Sequence, residues 1–165
     1  MKPIDIKSIT LNPFYSIGDD WILLAAGDAD DHNAMTVSWA HMGYIWNRPT
    51  AIAYVRPQRY TKAYMDREEL FTLSRFAPEY KKTLGYLGTH SGRDGDKIAA
   101  SGLTAVSVDG TTGFKEAELT LVCRKLYRAP ITREGFIDES IVDKCYPSGD
   151  FHDLYIGEII GAYDK

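Results

Sequence analysis

The chain has few cysteines and no long apolar segment, and each absence argues against a class of protein. None of its apolar runs approaches the roughly 20 residues that a membrane-spanning helix needs, so we expect no membrane partner. Cys123 and Cys145 are the only cysteines and lack C-x-x-C spacing, which argues against a disulfide framework and a thiolate zinc site. The four histidines include no pair at i, i+4 spacing, so we expect no bound metal. Residues 1–5 lack the apolar stretch of a signal peptide, which predicts a cytoplasmic protein.

Common nucleotide-binding and hydrolytic motifs are also absent. The sequence contains no G-x-G-x-x-G, G-x-x-x-x-G-K-[ST], H-E-x-x-H or G-x-S-x-G pattern. A Rossmann dinucleotide site and a P-loop are therefore unsupported. With 19 basic and 23 acidic residues the net charge is −4, which disfavours general nucleic-acid binding.

The composition is that of a globular protein, and the apolar patterns favour β-structure. The 165 residues are 44% hydrophobic, 25% charged and 12% aromatic, which is typical of one domain over residues 1–165. The predicted strands are 21–27, 35–39, 51–55, 71–74, 114–127 and 154–162. The predicted helices are 61–70, a second from Pro78 to the glycines at 85 and 88, and a short turn at 97–101. Because no regular βαβ alternation is present, we expect a mainly antiparallel β-barrel with a few short α-helices at its rim.

Two segments beside predicted strands carry residues suited to a flat ligand that bears a phosphate. Asn33 to Trp39 (N-A-M-T-V-S-W) offers small hydroxyls and a large aromatic side chain to the edge and wall of a heterocycle. Arg56 to Thr61 (R-P-Q-R-Y-T) leads from a strand into a helix, so guanidinium groups, a hydroxyl and free backbone N–H groups converge. The competing interpretations are that Trp39 lies in the core, that both arginines are solvated and that Thr61 only caps the helix.

Two later segments add a lysine and a histidine. Lys97 follows the Gly- and Asp-rich loop S-G-R-D-G-D-K, so its ammonium either reaches a phosphate or belongs to a solvated loop. His152 stands at the mouth of a predicted strand in D-F-H-D-L-Y-I-G-E, where it either handles a proton and contacts a substrate or is a rim histidine. The aromatic-rich segment 42–46 is compatible with a pocket wall, a dimer contact or a lid.

In their order and spacing these four segments resemble the flavin reductase-like family, which has an FMN-binding split β-barrel, and its flavoredoxin branch in particular. The resemblance extends over residues 12–161. It implies a Greek-key-like split barrel, FMN held non-covalently near a homodimer interface, and NADH or NADPH as a small-molecule electron donor. A redox partner protein is a further implication.

The resemblance also implies roles for individual residues. The candidate catalytic residues are Thr36, near N5 or O4 of the flavin ring, and His152, near the face of the ring. The implied FMN-binding set is Asn33; Met35, Thr36, Ser38 and Trp39 along the ring; Arg56, Arg59, Tyr60 and Thr61 at the ribityl chain and phosphate; and Ser74, Ser91 and Lys97 at the polar end.

Three functional hypotheses follow. The leading one is an FMN-dependent oxidoreductase that transfers a hydride from NAD(P)H to flavin. The second is an FMN-carrying electron shuttle that accepts electrons from a partner protein. The third is a barrel that binds haem or another small ligand without redox turnover, with His90 or His152 as the ligand. No nucleophilic triad is expected for hydride transfer, because the cofactor carries that chemistry.

Overall fold

A computed structural model describes all residues from 1 to 165. The strands are β1 (Lys2–Pro3), β2 (Ile22–Gly27), β3 (His32–Val37), β4 (Ala40–Ile45), β5 (Arg48–Val55), β6 (Leu70–Arg75), β7 (Ala105–Val108), β8 (Thr111–Phe114), β9 (Leu119–Pro130) and β10 (Asp153–Asp164). The helices are α1 (Thr61–Arg67), α2 (Lys81–Thr89), α3 (Lys97–Ser101) and α4 (Glu139–Cys145), with a π-helical turn at Phe14–Asp19 and 3₁₀ turns at Ile6–Ser8, Pro78–Tyr80 and Arg133–Gly135. None of the helices has the length and apolar character needed to cross a membrane.

One antiparallel sheet of eight strands forms the body of the molecule. Its order is β3-β2-β6-β9-β10-β5-β4, with β1 paired to β10, while β7 and β8 form a separate hairpin. The two edge strands, β3 and β4, are joined in sequence by Ser38 and Trp39 alone. Because a two-residue link spans roughly 10 Å at most, the sheet must curl until its edges nearly meet. The predicted mainly antiparallel barrel with short helices is confirmed, and it stays open along the β3–β4 seam.

The strands bury side chains on both faces of the sheet. Leu24, Val37 and Phe71 belong to a cluster of 19 buried residues inside the barrel. Leu23 and Ala34 point the opposite way, into a second cluster of 10 residues beneath α2, α3 and β8. Since successive side chains of a strand alternate between faces, two-sided burial explains why residues 21–27 form a continuous apolar run.

Most of the predicted strands and helices are confirmed. The predicted and observed bounds differ where tertiary packing, rather than the local sequence pattern, determines the structure. β3 spans His32–Val37, so the predicted strand at 35–39 begins too late and places Trp39 wrongly inside it. The predicted strand at 114–127 is interrupted, because β8 ends at Phe114 and β9 begins only at Leu119. The sequence patterns did not predict β4, β7 or α4, although the Asp138 side chain accepts a hydrogen bond from the Ser140 N–H, which is a recognisable start for α4.

A network of charged side chains fixes α1 against the barrel. The buried Tyr155 of β10 donates a hydrogen bond of 2.5 Å to Asp66 of α1. Lys62 lies 2.7 Å from Asp66 and 2.9 Å from Asp153, and Arg128 of β9 pairs with the same two carboxylates. Burial raises the pKa of both carboxyls, but the hydrogen bonds from Lys62 and its neighbours outweigh this effect, so each pKa lies below its usual value.

We expect the free energy of unfolding to fall on acidification because of this network. Because the pKa of each carboxyl is lower in the folded than in the unfolded protein, the ionised carboxylates stabilise the fold at pH values above their unfolded pKa of about 4. This stabilisation is lost as the pH falls through the pKa values of the folded protein. Lys62→Met should lower the free energy of unfolding by about 1–3 kcal/mol near neutral pH and flatten its decline below about pH 5. Urea unfolding across this pH range is the measurement. Lys82→Met, at an exposed position of α2, is the matched control, and an unchanged pH slope in Lys62→Met would contradict the account.

Candidate functional site

A groove opens at the seam where the barrel is not closed by strand pairing. Its wide end, of about 220 Å³, is lined by Met35, Thr36, Val37, Ser38, Trp39, Tyr54, Arg56, Arg59 and His152. Its narrow end, of about 120 Å³, is lined by Asn33, Met35, Gln58, Arg59, Tyr60, Thr61, Thr89, His90, Ser91, Gly92 and Lys97. Met35 and Arg59 line both ends, so the two cavities are adjacent, and together we call them the seam groove.

The seam groove brings together every predicted site residue except Ser74. Ser74 lies on β6, whose neighbours in the sheet are β2 and β9, and its side chain is fully buried. Its Oγ lies 3.1 Å from Oγ1 of Thr120, so its hydrogen bonding is satisfied within the barrel wall. The assignment of Ser74 to the polar end of the site is therefore corrected: the residue belongs to the packing between β6 and β9.

The wide end combines an exposed aromatic ring with unpaired backbone. Trp39 is 43% exposed, because it lies in the two-residue link and cannot enter the barrel. The alternative that Trp39 is a core residue is therefore wrong. β3 is an edge strand, so backbone N–H and C=O groups that point away from β2 have no partner in the sheet and face the seam. A planar ligand can receive both an apolar wall and hydrogen bonds along its edge here.

The hydroxyl of Thr36 already donates its proton within the protein. Its Oγ1 donates a hydrogen bond of 2.5 Å to the carbonyl of Leu84 in α2. The side chain packs against Gly88, where an added Cβ would come within 3.2 Å of the Thr36 Cβ. Because a hydroxyl has one proton and this one is already donated, Thr36 can accept a hydrogen bond from a ligand through Oγ1 but cannot donate one.

At the narrow end, β3 and α1 are joined by a buried hydrogen bond, and a loop packs closely against both. Asn33 Nδ2 donates to Thr61 Oγ1 at 2.7 Å, and both residues are buried. The helix cap is Tyr60, so the alternative that Thr61 only caps α1 is wrong. An added Cβ at Gly92 would lie 2.4 Å from the Asn33 Oδ1 and 3.0 Å from the Tyr60 ring. Only glycine lets the loop after α2 approach this closely.

Two cations define the charge of the narrow end. Lys97 is buried, and its Nζ donates to the carbonyls of Leu87 and His90, both at 2.9 Å. Burial and then the charge of Arg59 lower the pKa of Lys97 to about 8. Arg59 is exposed and donates to the Gly88 carbonyl at 2.8 Å. Each side chain has more N–H groups than these bonds use, so both retain donors for an anion.

Arg56 holds the segment that connects β9 to β10 against the wide end. Its guanidinium pairs with Asp150 and donates to the Cys145 carbonyl at 2.8 Å. Both acceptors lie in residues 131–152, the connection between β9 and β10. The guanidinium also lies 6.0 Å from the ring centroid of Trp39 and 5.2 Å from that of Tyr146. Arg56 is therefore neither freely solvated nor a free anion ligand, but it places a positive charge beside the groove.

His152 is enclosed at the wide end. It is 7% exposed, its ring centroid lies 5.0 Å from that of Trp39, and its Nδ1 lies 2.8 Å from the Tyr146 hydroxyl. Burial, followed by the charge of Arg56, lowers the pKa of His152 to about 4. The imidazole is therefore neutral near pH 7, and the alternative of a solvated rim histidine is wrong.

Sequence reasoning missed two tyrosines, one in the lining of the wide end and one behind it. Tyr54 lines it from β5, and its hydroxyl lies 3.2 Å from Nδ1 of His41. The alternation of β5, in which Ala53 and Val55 are buried, is a signal that puts Tyr54 on the other face. Tyr146 lies behind His152, and only the tertiary packing of residues 131–152 places it there.

Comparison with known proteins is informative at the level of family and fold. A family model described as a flavin reductase like domain matches residues 15–164. No curated protein matches the chain.

Several solved structures are similar in fold. A flavoredoxin from Methanosarcina acetivorans is 22% identical with a TM-score of 0.69, over 88% of this chain and 68% of that one. A flavoredoxin of Desulfovibrio vulgaris (Miyazaki F) is 22% identical with a TM-score of 0.68, over 88% and 69% of the two chains. An FMN-binding protein from Thermus thermophilus with bound p-hydroxybenzaldehyde is 18% identical with a TM-score of 0.70, over 88% and 71%. At these identities the likeness concerns the fold alone.

The enclosure of His152 generates a direct prediction. Its imidazole should titrate near pH 4, well below the ordinary value of about 6.5, when followed by NMR of the ring carbons and nitrogens. Arg56→Gln removes the adjacent positive charge and should raise this midpoint. Arg48→Gln, which removes an arginine paired with Glu158 outside the groove, is the control. A wild-type midpoint near 6.5 would show that the histidine is solvated.

Proposed function

The chain belongs to the family of flavin reductase-like domains and shares their split barrel, and from this premise we propose that it binds FMN non-covalently and reduces flavin with NADH or NADPH. The seam groove carries the proposal. One end of the groove is aromatic and bordered by an edge strand, and the other is cationic. A flavin mononucleotide has the same asymmetry, with a flat ring at one end and a phosphate at the other.

The donors at the narrow end fit a phosphate. Arg59 and Lys97 retain unused N–H groups, and Ser91 Oγ accepts from the Arg93 N–H while keeping its own proton to donate. α1 has only seven residues, so we assign the binding to side chains and the loop rather than to its N-terminus. Asn33 donates to Thr61 Oγ1, which leaves the Thr61 hydroxyl proton free, so we assign Asn33 to the support of Thr61 and Thr61 to the donors that a phosphate can reach.

The residues of the wide end fit the ring. We assign its apolar wall to Met35 and Trp39, its polar edge to the backbone of β3 and to Ser38, and its far side to His152. When bound there, FMN supplies the redox chemistry by accepting a hydride and passing electrons on. Arg56 also lines this end, where Asp150 and the Cys145 carbonyl hold its guanidinium in place.

The electron shuttle is the second candidate, and the exposure of Trp39 favours it. A ring bound against a side chain that is 43% exposed remains accessible to a protein donor as well as to a nicotinamide. Two of the similar structures are named flavoredoxins. Anaerobic stopped-flow reduction of the FMN-loaded protein distinguishes the two functions. Rapid bleaching by NADH or NADPH supports the reductase. Bleaching only by dithionite or a ferredoxin-type donor supports the shuttle, and a haem band without flavin binding contradicts both.

We further propose that a second copy of the chain covers β4, near the groove. β4 is an edge strand; Tyr44 and Ile45 at its end and Trp46 directly after it are 70%, 42% and 53% exposed. An exposed apolar edge normally has a covering partner. β4 pairs with β5, and Tyr54 of β5 lines the wide end, so a homodimer built on β4 would lie one strand away from the proposed FMN site. Sedimentation of the protein with and without Tyr44→Lys tests this arrangement, and a monomeric wild type contradicts it.

The assignment of the phosphate to the narrow end can be tested with two flavins. Arg59→Gln removes a charged donor from an exposed side chain, so we expect FMN affinity to fall by about tenfold, or about 1.4 kcal/mol. Riboflavin has no phosphate, and its affinity should stay within about twofold. Fluorescence titration with both ligands is the measurement, with Arg48→Gln as the control. An equal loss for both flavins, or no loss for either, would contradict the assignment.

A further inference from the structure

The Tyr146 hydroxyl has a single hydrogen-bond partner, Nδ1 of His152 at 2.8 Å. Tyr146 directly follows α4, and its ring packs edge-on to Trp39 and beside Phe136 and Phe151. Both Tyr146 and His152 are buried. Tyr146 does not line the seam groove itself, and its hydroxyl contacts only His152, so an effect of the hydroxyl on a ligand must pass through the histidine.

The other ring nitrogen of His152 is open to the groove. Nε2 has no hydrogen-bond partner in the protein, and the only buried side-chain nitrogen or oxygen without a partner is Nε of Arg75. Nε2 therefore belongs to the small part of His152 that remains accessible. Since His152 lines the wide end, this nitrogen is the part of the ring that a ligand there can reach.

Hydrogen-bond accounting decides which nitrogen carries the proton. A neutral imidazole has one N–H group, and its position is set by the partner of the other nitrogen. If Nδ1 carried the proton and donated to Tyr146, the phenol proton would be buried with no acceptor, which costs free energy. If the phenol donates to Nδ1, its proton is satisfied and the N–H of His152 lies at Nε2, where the groove is open.

We propose that Tyr146 is a positioning residue that fixes His152 as the Nε2–H tautomer, so that the histidine presents a neutral hydrogen-bond donor to a carbonyl oxygen at the wide end. The part of this inference that concerns a ligand rests on the proposed function, since both flavin rings and nicotinamides carry such carbonyls. The tautomer itself is a property of the protein alone.

Charged and aromatic side chains around His152 keep it in the neutral Nε2–H form. The charged groups that face it are Arg56 and Arg59 from the end of β5 onward, and Asp150, which is paired with Arg56. The two cations oppose protonation of the ring, while Trp39 on one side and Tyr146 on the other limit its rotation. The donor is therefore the same over the neutral pH range.

Tyr146→Phe tests the proposal, because it removes one oxygen and keeps the ring that packs the cluster. Long-range ¹H–¹⁵N spectra of the flavin-free protein distinguish the two imidazole tautomers. We expect Nε2–H alone in the wild type, and a mixture of tautomers in Tyr146→Phe. The matched control is Tyr163→Phe, whose hydroxyl donates to Asp109 outside the groove, and it should keep the wild-type spectrum. Nδ1–H in the wild type, or an unchanged single tautomer in Tyr146→Phe, would overturn the proposal.

The consequence for a ligand is measured separately. In the FMN-loaded protein, Tyr146→Phe should slow reduction by the nicotinamide about fivefold while leaving the Kd for FMN within about twofold. In a His152→Ala background the same substitution should have no further effect, because the hydroxyl that it removes acts only through the histidine. An equal slowing in both backgrounds would overturn the positioning role. Failure of the wild type to bind FMN would contradict the proposed function, whereas the tautomer result would stand.

Discussion

The short link between the two edge strands is the constraint on which the rest of the structure depends. Ser38 and Trp39 join the two ends of a seven-strand path, so the sheet has to curl until its edges nearly meet, yet β3 and β4 do not pair and the barrel stays open between them. The seam left between them exposes unpaired backbone and holds Trp39 at the surface. A groove with an apolar wall and a polar edge results from this connectivity rather than from any one side chain.

Arg56 and Lys97 hold parts of the protein together and also lie at the groove, so they serve both stability and binding. Arg56 holds the connection between β9 and β10 through Asp150 and the Cys145 carbonyl, and its charge adds to the effect of burial in lowering the pKa of His152. Lys97 holds the end of α2 through two carbonyls, yet it keeps a donor for an anion. Because these cations are already held in place by the protein, a ligand would meet donors whose positions are fixed in advance.

Local sequence patterns were sufficient for much of this account. Alternation and apolar runs located the main strands, and the order of four short segments indicated both the barrel and nearly all of the groove. Ser74 was misplaced because a serine on a central strand and one on an edge strand look alike in sequence, and only strand order separates them. The exposure of Trp39 and the pairing of Tyr146 with His152 depend on long-range packing, so no local pattern contains them.

The central claim is that the seam groove holds one FMN, and the visible absorption spectrum of the purified protein tests it most directly. The spectrum is recorded after FMN is added and again after the unbound flavin is removed by desalting. The account predicts that about one flavin per chain is retained, with bands shifted from those of free FMN, and that Trp39→Ala alters the shift because Trp39 borders the wide end. A colourless protein after desalting, together with no saturable FMN binding in a titration, would contradict it.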